Sequence, residues 1–181
     1  VCEQVAEEFT PVHWPETPLH EWLTKTAAPG AVIGFDPWLH TVEQIETLRA
    51  GLEGSGLSLV ACSNGVDAIW ADRPSPPNDP AWAHPPNLCG ETAEDKLRHL
   101  GASIAAQAAQ TAVITLPDSL CWLLNLRGRD VPRTPIAQCF GLLNADATLT
   151  LFGDEMKFAD LTLPETVTLA TWDAFPGQLK D

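Results

Sequence analysis

The feature that most narrows the fold is a strand, helix and strand in succession between residues 31 and 62. Residues 31–35 are a short apolar run that reads as a strand, and residues 57–62 read as another. Between them, Thr41 and Gln44 have capping-box spacing, in which each side chain takes up a backbone N–H that the start of a helix leaves open. The helix so opened places Val42, Ile45, Leu48 and Leu52 on one side, and Gly54 and Gly56 end it. Two strands joined through a helix lie parallel with a right-handed crossover, because strand twist lets the helix pack back only that way.

The rest of the chain extends this pattern. Residues 1–9 read as the end of a strand and a linker. Thr17-Pro18 is expected to cap a short helix with Leu19, Trp22 and Leu23 on one face, stopped by Gly30. Residues 64–70 suggest a turn and a short helix. Residues 72–89 hold six prolines and read as a long irregular connection, pinned to the core by Trp82. Thr92, with Asp95 three residues on, opens a second long helix that carries Leu97, Leu100, Ile104 and Ala108 inward. Residues 111–116 are a third strand, and residues 118–125 a short helix with Leu120, Trp122, Leu123 and Leu124. Residues 138–143 and 148–152 form a hairpin across Asn144, Ala145 and Asp146, and residues 166–172 alternate like a last strand. The sum is an α/β fold, a three-layer αβα arrangement. Its mixed, partly antiparallel sheet begins parallel and ends antiparallel, with helices on both faces.

At 181 residues the chain is long enough to bury roughly 70% of its unfolded surface. Its formal charge of −14 disfavours nucleic acid and anionic membranes as partners. No stretch is apolar for long enough to span a bilayer, and no signal peptide is expected at the start of the chain. Cys2, Cys62, Cys89, Cys121 and Cys139 are widely spread and odd in number, which suits reduced, packed thiols and a cytoplasmic setting. Residue 1 is Val and the only methionine is Met156, so the chain is expected to be a piece of a longer protein.

Motifs that carry chemistry are mostly missing. There is no C-x-x-C, no H-E-x-x-H, no G-x-S-x-G and no glycine-rich phosphate loop. His84 with Cys89 is the nearest approach to a metal pair, and two ligands do not make a site. Asp118 beside Ser119 reads as a helix N-cap rather than a nucleophile. Arg127, Arg129 and Arg133 are the one local cluster of positive charge. In residues 122–130, an apolar short helix runs into Arg127, Gly128 and Asp130. Gly128 is expected to permit a turn, and Arg127, a planar fork suited to carboxylates, to pair with Asp130 and pin the loop.

Two runs carry a resemblance. Ile69-Trp-Ala-Asp-Arg-Pro74 and Trp122-Leu-Leu-Asn-Leu-Arg-Gly128, continued by Asp130-Val131, resemble the middle domain of the three-domain Xaa-Pro aminopeptidases. Ile33-Gly-Phe-Asp-Pro37 resembles that domain's first strand and its exit. Thr92, Asp95 and Lys96 resemble the opening of its second long helix. The likeness spans roughly residues 18–152, and residues 1–5 resemble the tail of the family's first domain.

The resemblance implies a creatinase/prolidase N-terminal type of domain within a cytoplasmic, often dimeric metallopeptidase. That hydrolase removes the residue preceding a proline from peptide N-termini. Its two divalent metal ions, usually manganese, sit in a pita-bread catalytic domain that would follow Asp181. No metal ligand or catalytic residue carries over, so these residues alone are expected to be inactive. The implied division is a tail and linker at 1–16, the middle domain at 17–173 and a linker at 174–181. The implied partners are the N-terminal and catalytic domains of the same chain and the peptide substrate. Arg127, Asp130, Arg73 and Trp122 are the candidates for an interdomain or substrate-rim role. Two other readings stay open: a free-standing binding module that uses residues 72–89, and a relative acting on creatine or dipeptides, since fold does not set substrate.

Overall fold

A computed structural model describes residues 4–179. Val1, Glu3, Lys180 and Asp181 lie outside the described residues, as does Cys2 and with it the start of the expected tail. Residues 4–9 form turns rather than a strand. The chain divides into two compact units, Val1–Pro74 and Ser75–Asp181.

In the first unit, α1 (Leu19–Thr26) follows Pro18, which stands at the cap position with no side-chain bond; it buries Leu23. Strand β1 (Val32–Phe35) leads to α2 (Val42–Gly51) and then to β2 (Ser58–Ala61). The two strands pair in parallel, Val32 beside Ser58 through Phe35 beside Ala61, as the crossover requires. The capping box is formed: Gln44 N–H donates to Thr41 Oγ1 (3.2 Å) and Thr41 N–H to Gln44 Oε1 (2.9 Å). Ile45 and Leu52 are buried, whereas Val42, in the first turn, is exposed. Gly54 takes φ +75°, a left-handed conformation that suits the chain reversal after the helix. Asn64 caps the short α3 (Gly65–Ile69).

The second unit holds the larger core. Strand β3 (Trp82–Ala83) lies within the proline-rich stretch, and α4 (Ala93–Ala106) follows. Then come β4 (Thr111–Ile114), α5 (Pro117–Leu123), β5 (Leu126–Arg127), β6 (Phe140–Asn144) and β7 (Leu149–Phe152). The unit closes with α6 (Glu155–Phe158), β8 (Val167–Ala170) and α7 (Phe175–Gln178). The four-stranded sheet runs β4-β6-β7-β8, and β3 pairs with β5 in a separate antiparallel ribbon. Leu120, Leu143, Leu149, Leu151, Phe152 and Phe158 are fully buried.

Four expectations change here. The hairpin β6–β7 is antiparallel, but β8 lies parallel to β7, so the sheet ends on a parallel pair. The cause is the connection from Gly153 to Thr166: it is long enough for a crossover and carries α6. Ala108 is exposed rather than inward, because α4 has ended and Ala108 adopts φ +54°. Asp118 does not cap α5; Pro117 occupies the first helical position, where its fixed φ suits the start and its missing N–H costs nothing. Trp82 is partly exposed, and the proline-rich stretch is pinned by Ala81, buried at 4%, whose N–H donates to the Lys157 carbonyl (2.9 Å).

The start of α4 makes a pH prediction. Thr92 Oγ1 accepts the Asp95 N–H (3.1 Å) and donates to Asp95 Oδ2 (2.9 Å), and Arg98 adds a second contact. These bonds hold the Asp95 carboxyl below its ordinary 3.8, the Thr92 hydroxyl foremost. A depressed carboxylate contributes stability that is complete above its unfolded value and is lost as pH falls through the folded one. Thr92→Val is therefore expected to move the Asp95 titration midpoint upward, as followed by carboxyl NMR shifts.

Candidate functional site

Two buried lysines organise the region that the sequence marks at residues 122–130. The first is Lys157 on α6. Its ammonium is ion-paired with Asp130 and also donates to the carbonyls of Pro77 (3.2 Å) and Gln138 (3.3 Å). The Asp130 carboxylate accepts the N–H groups of Gln138 (2.6 Å) and Asp79 (3.3 Å) as well. Both side chains are buried, and each has its hydrogen-bonding capacity largely met, which is what a buried pair requires. The pair ties the proline-rich stretch to the segment before β6. Asn78 Nδ2 adds a bond to Asp154 Oδ2 (2.7 Å).

The second is Lys96 on α4. Its ammonium donates to the Trp122 carbonyl (2.7 Å) and to Asn125 Oδ1 (2.7 Å), and lies 4.3 Å from the centre of the Trp122 ring. Burial pulls this ammonium below the ordinary lysine value. Asn125 Nδ2 donates to the Glu91 carbonyl (2.9 Å), and Asn125 itself takes φ +52°, a conformation asparagine tolerates better than most residues. The end of α5 is thus held to the start of α4, and Trp122 is presented at the surface, 55% exposed as a residue.

The four residues marked in the sequence fall as follows. Asp130 is buried, and its partner is Lys157, not the expected Arg127. The cause is burial: the Asp130 carboxylate lies in the core, where the Lys157 ammonium is also buried and needs an anion. Arg127, half-buried on β5, donates to the Leu126 carbonyl (2.7 Å). Trp122 is at the surface beside Lys96. Arg73 belongs to the first unit, where it is ion-paired with Asp67 at the surface. Gly128 is needed for a close approach to Ala137 rather than for a turn.

Lys96, Lys157 and Asn125 were not singled out as site residues by sequence reasoning. The signal for two of them was present. Lys157 stands between Met156 and Phe158, and Asn125 interrupts the run Leu123-Leu124-Asn125-Leu126. A polar residue inside an apolar run is buried with a partner more often than it is free.

A cleft of about 600 Å³ opens beside β3, lined by Asp79, Trp82, Ala83, Arg129, Asp160 and Thr162 among others. The Arg129 guanidinium lies 5.4 Å from the centre of the Trp82 ring. Among the described residues, no group of three or more His, Cys, Asp and Glu side chains is arranged to hold a metal ion. The Cys89 thiol turns to the His84 and Pro85 carbonyls.

The thiols divide by environment. Cys121 and Cys139 are buried and share the Ala137 carbonyl as acceptor, at 3.7 and 3.4 Å. Burial raises both, Cys139 to about 12. Cys62, by contrast, is exposed. In the folded protein at pH 8, iodoacetamide is expected to label Cys62 and to spare Cys121 and Cys139 until urea is added. Peptide-resolved mass spectrometry reads this directly; labelling of Cys139 in the folded state would contradict it.

Residues 72–181 match the Creatinase/Prolidase N-terminal domain family. The chain belongs to that family. The matched residues include the whole of the second unit, with its mixed sheet and its two buried lysines. This creatinase/prolidase N-terminal domain is also similar to probable Xaa-Pro aminopeptidases P. One from Aspergillus niger is 36% identical over 139 residues, which cover 76% of the present chain and 22% of the relative. One from Coccidioides posadasii is 32% identical over 165 residues, covering 88% of the present chain and 25% of the relative. The chain therefore spans about a quarter or less of the length of these relatives. Among solved structures, it superposes on an X-prolyl aminopeptidase from Caenorhabditis elegans with a TM-score of 0.75 and 26% identity. That match covers 97% of this chain and 28% of the other, which is described as a cytosolic enzyme with a di-nuclear active site. The resemblance read from residues 69–74 and 122–131 holds.

Proposed function

We propose that the chain is the non-catalytic middle domain of a proline-specific metallo-aminopeptidase, which releases the residue preceding proline at a peptide N-terminus. Its part is to pack against the other domains and to shape the path of the peptide. The observation that carries this reading is the joint similarity, in sequence and fold, to about a quarter of Xaa-Pro aminopeptidases. The pair of divalent metals, manganese by the family resemblance, would be held by a catalytic domain beyond these residues, in a cytoplasmic, dimer-forming enzyme whose domain limits we place near residues 16 and 174. In the second unit, Trp122 and Arg127 supply a rim that Asp130 supports from within through Lys157; Arg73, in the first unit, is assigned an interdomain role of its own.

The test is an assay of the full-length protein on a Xaa-Pro dipeptide, a longer Xaa-Pro peptide and creatine, before and after metal removal with EDTA. Cleavage of the Xaa-Pro peptides, lost with EDTA and restored by manganese, is the expected result, with residues 1–181 alone inactive. Turnover of creatine, or peptidase activity of residues 1–181 alone, would overturn the assignment. Arg127→Ala in the full-length enzyme is expected to lower kcat/KM on the longer peptide without lowering the thermal midpoint.

A further inference from the structure

The cleft beside β3 has one feature that the middle-domain role does not use. Among the described residues, strand β3 is paired on one side only, with β5. The His84 N–H donates to the Asn125 carbonyl (2.7 Å), which marks His84 and Asn125 as a hydrogen-bonded pair of the ribbon. Such pairs alternate along an antiparallel ladder, so Trp82 with Arg127 is the next one, and Ala83 with Leu126 is not. The N–H and C=O of Ala83 therefore point away from β5. Ala83 lines the cleft on that side, across from Asp160, Leu161 and Thr162. Two residues earlier, the same side of the strand already takes a strand-like bond, from the Ala81 N–H to the Lys157 carbonyl. The edge is thus competent for pairing, filled at Ala81 and open at Ala83.

The chemistry around the opening is directional. Arg129, stacked over Trp82, is exposed and has no ion-pair partner among the described residues. A guanidinium stacked on an indole keeps its fork of donors free for a carboxylate. Asp79 and Asp160, also on the cleft wall, disfavour an acidic ligand along its whole length. The wall is set in advance: the Asp79 N–H bonds to Asp130, and Pro77 and Ala81 bond to Lys157. A preset wall lowers the ordering cost of binding.

We propose that this cleft binds the C-terminal part of an extended peptide substrate as an added strand on Ala83, with the peptide's terminal carboxylate on Arg129. The proposal rests on the peptidase reading above. Main-chain bonds to a sheet edge would accept many sequences, and the arginine would fix the end of the peptide.

The experiment uses the full-length protein and three probes: the dipeptide Ala-Pro, the hexapeptide Ala-Pro-Ala-Ala-Ala-Ala, and the same hexapeptide as its C-terminal amide. The free-acid hexapeptide is expected to show a KM about tenfold below that of the amide, the worth of one charge-assisted bond. Arg129→Ala should abolish that preference and leave Ala-Pro turnover unchanged. Ala83→Pro removes the N–H that faces the cleft while sparing the β3–β5 bonds, and should raise the KM of both hexapeptides. Arg129 is exposed, so its variant carries the test alone if Ala83→Pro lowers the thermal midpoint. Wild-type behaviour of Arg129→Ala toward acid and amide would overturn the proposal. If the full-length protein cleaves none of the probes, the peptidase reading fails instead. Fluorescence polarisation of the hexapeptide, labelled at its N-terminus with fluorescein, then decides for the cleft: binding that Arg129→Ala weakens about tenfold sustains it, and no binding or undiminished binding overturns it.

Discussion

Lys157→Met is expected to destabilise the second unit by about 3–5 kcal/mol, the usual cost of leaving one member of a buried ion pair behind. The Asp130 carboxylate would stay in the core with only the Gln138 and Asp79 N–H groups to face it. The Pro77 and Gln138 carbonyls would lose the ammonium as donor. Methionine matches the length of the lysine stem, so little of the loss would be cavity. Asp130→Ala should cost a similar amount by orphaning the ammonium. Combining Lys157→Met with Asp130→Leu removes both charges and should recover part of the loss, because the pair must repay the desolvation of two ions. The measurement is urea unfolding of each variant, with the midpoint shifting and the slope held. A loss below about 1 kcal/mol for Lys157→Met would mean that the pair is solvated in the folded protein.

That contact also shows where reading the sequence stopped. The local patterns were legible: the capping box at Thr41, the start of α4 at Thr92 and the hairpin β6–β7 follow from rules that act within about ten residues, and the parallel pair β1–β2 follows from the crossover rule for a strand, helix and strand in succession. The partner of Asp130 lies 27 residues away on a four-residue helix, and nothing local to Asp130 names it. Arg127 is nearer in sequence, but its side chain turns to the Leu126 carbonyl and not to Asp130. The parallel placement of β8 was hidden for a related reason. Alternation reports that residues 166–172 form a strand, but only the length and the helix of the preceding connection decide its direction. The cleft at Ala83 was hidden more deeply. A two-residue strand has no periodicity to read, and its open edge follows only from which ribbon residues bond to each other across β3 and β5.

Gly128→Ala is expected to cost about 2–3 kcal/mol, for a reason unrelated to backbone freedom. A Cβ at Gly128 would meet the Ala137 backbone at 2.6 Å from both Cα and N, and the Ala137 side chain at 2.7 Å. Main-chain atoms cannot rotate aside as a side-chain tip can. Relief requires residues 135–138 to shift as a body. Ala137 is fully buried and its N–H donates to Cys121 Sγ (3.3 Å), so the shift strains α5. The adjacent Gln138 N–H holds Asp130 at 2.6 Å, so the shift also loosens the ion pair. The two predictions are therefore coupled. Gly128→Ala combined with Lys157→Met should cost less than the sum of the two changes, because each disturbs the same contact. Gly90→Ala is the control in the same unit: its added Cβ meets nothing within 4 Å, and it should lie within about 0.5 kcal/mol of wild type. Additive losses in the double variant, measured by urea midpoints, would show that the Gly128 approach and the Asp130 anchor act independently. The close packing of residues 128 and 137 would then not be what seats the carboxylate.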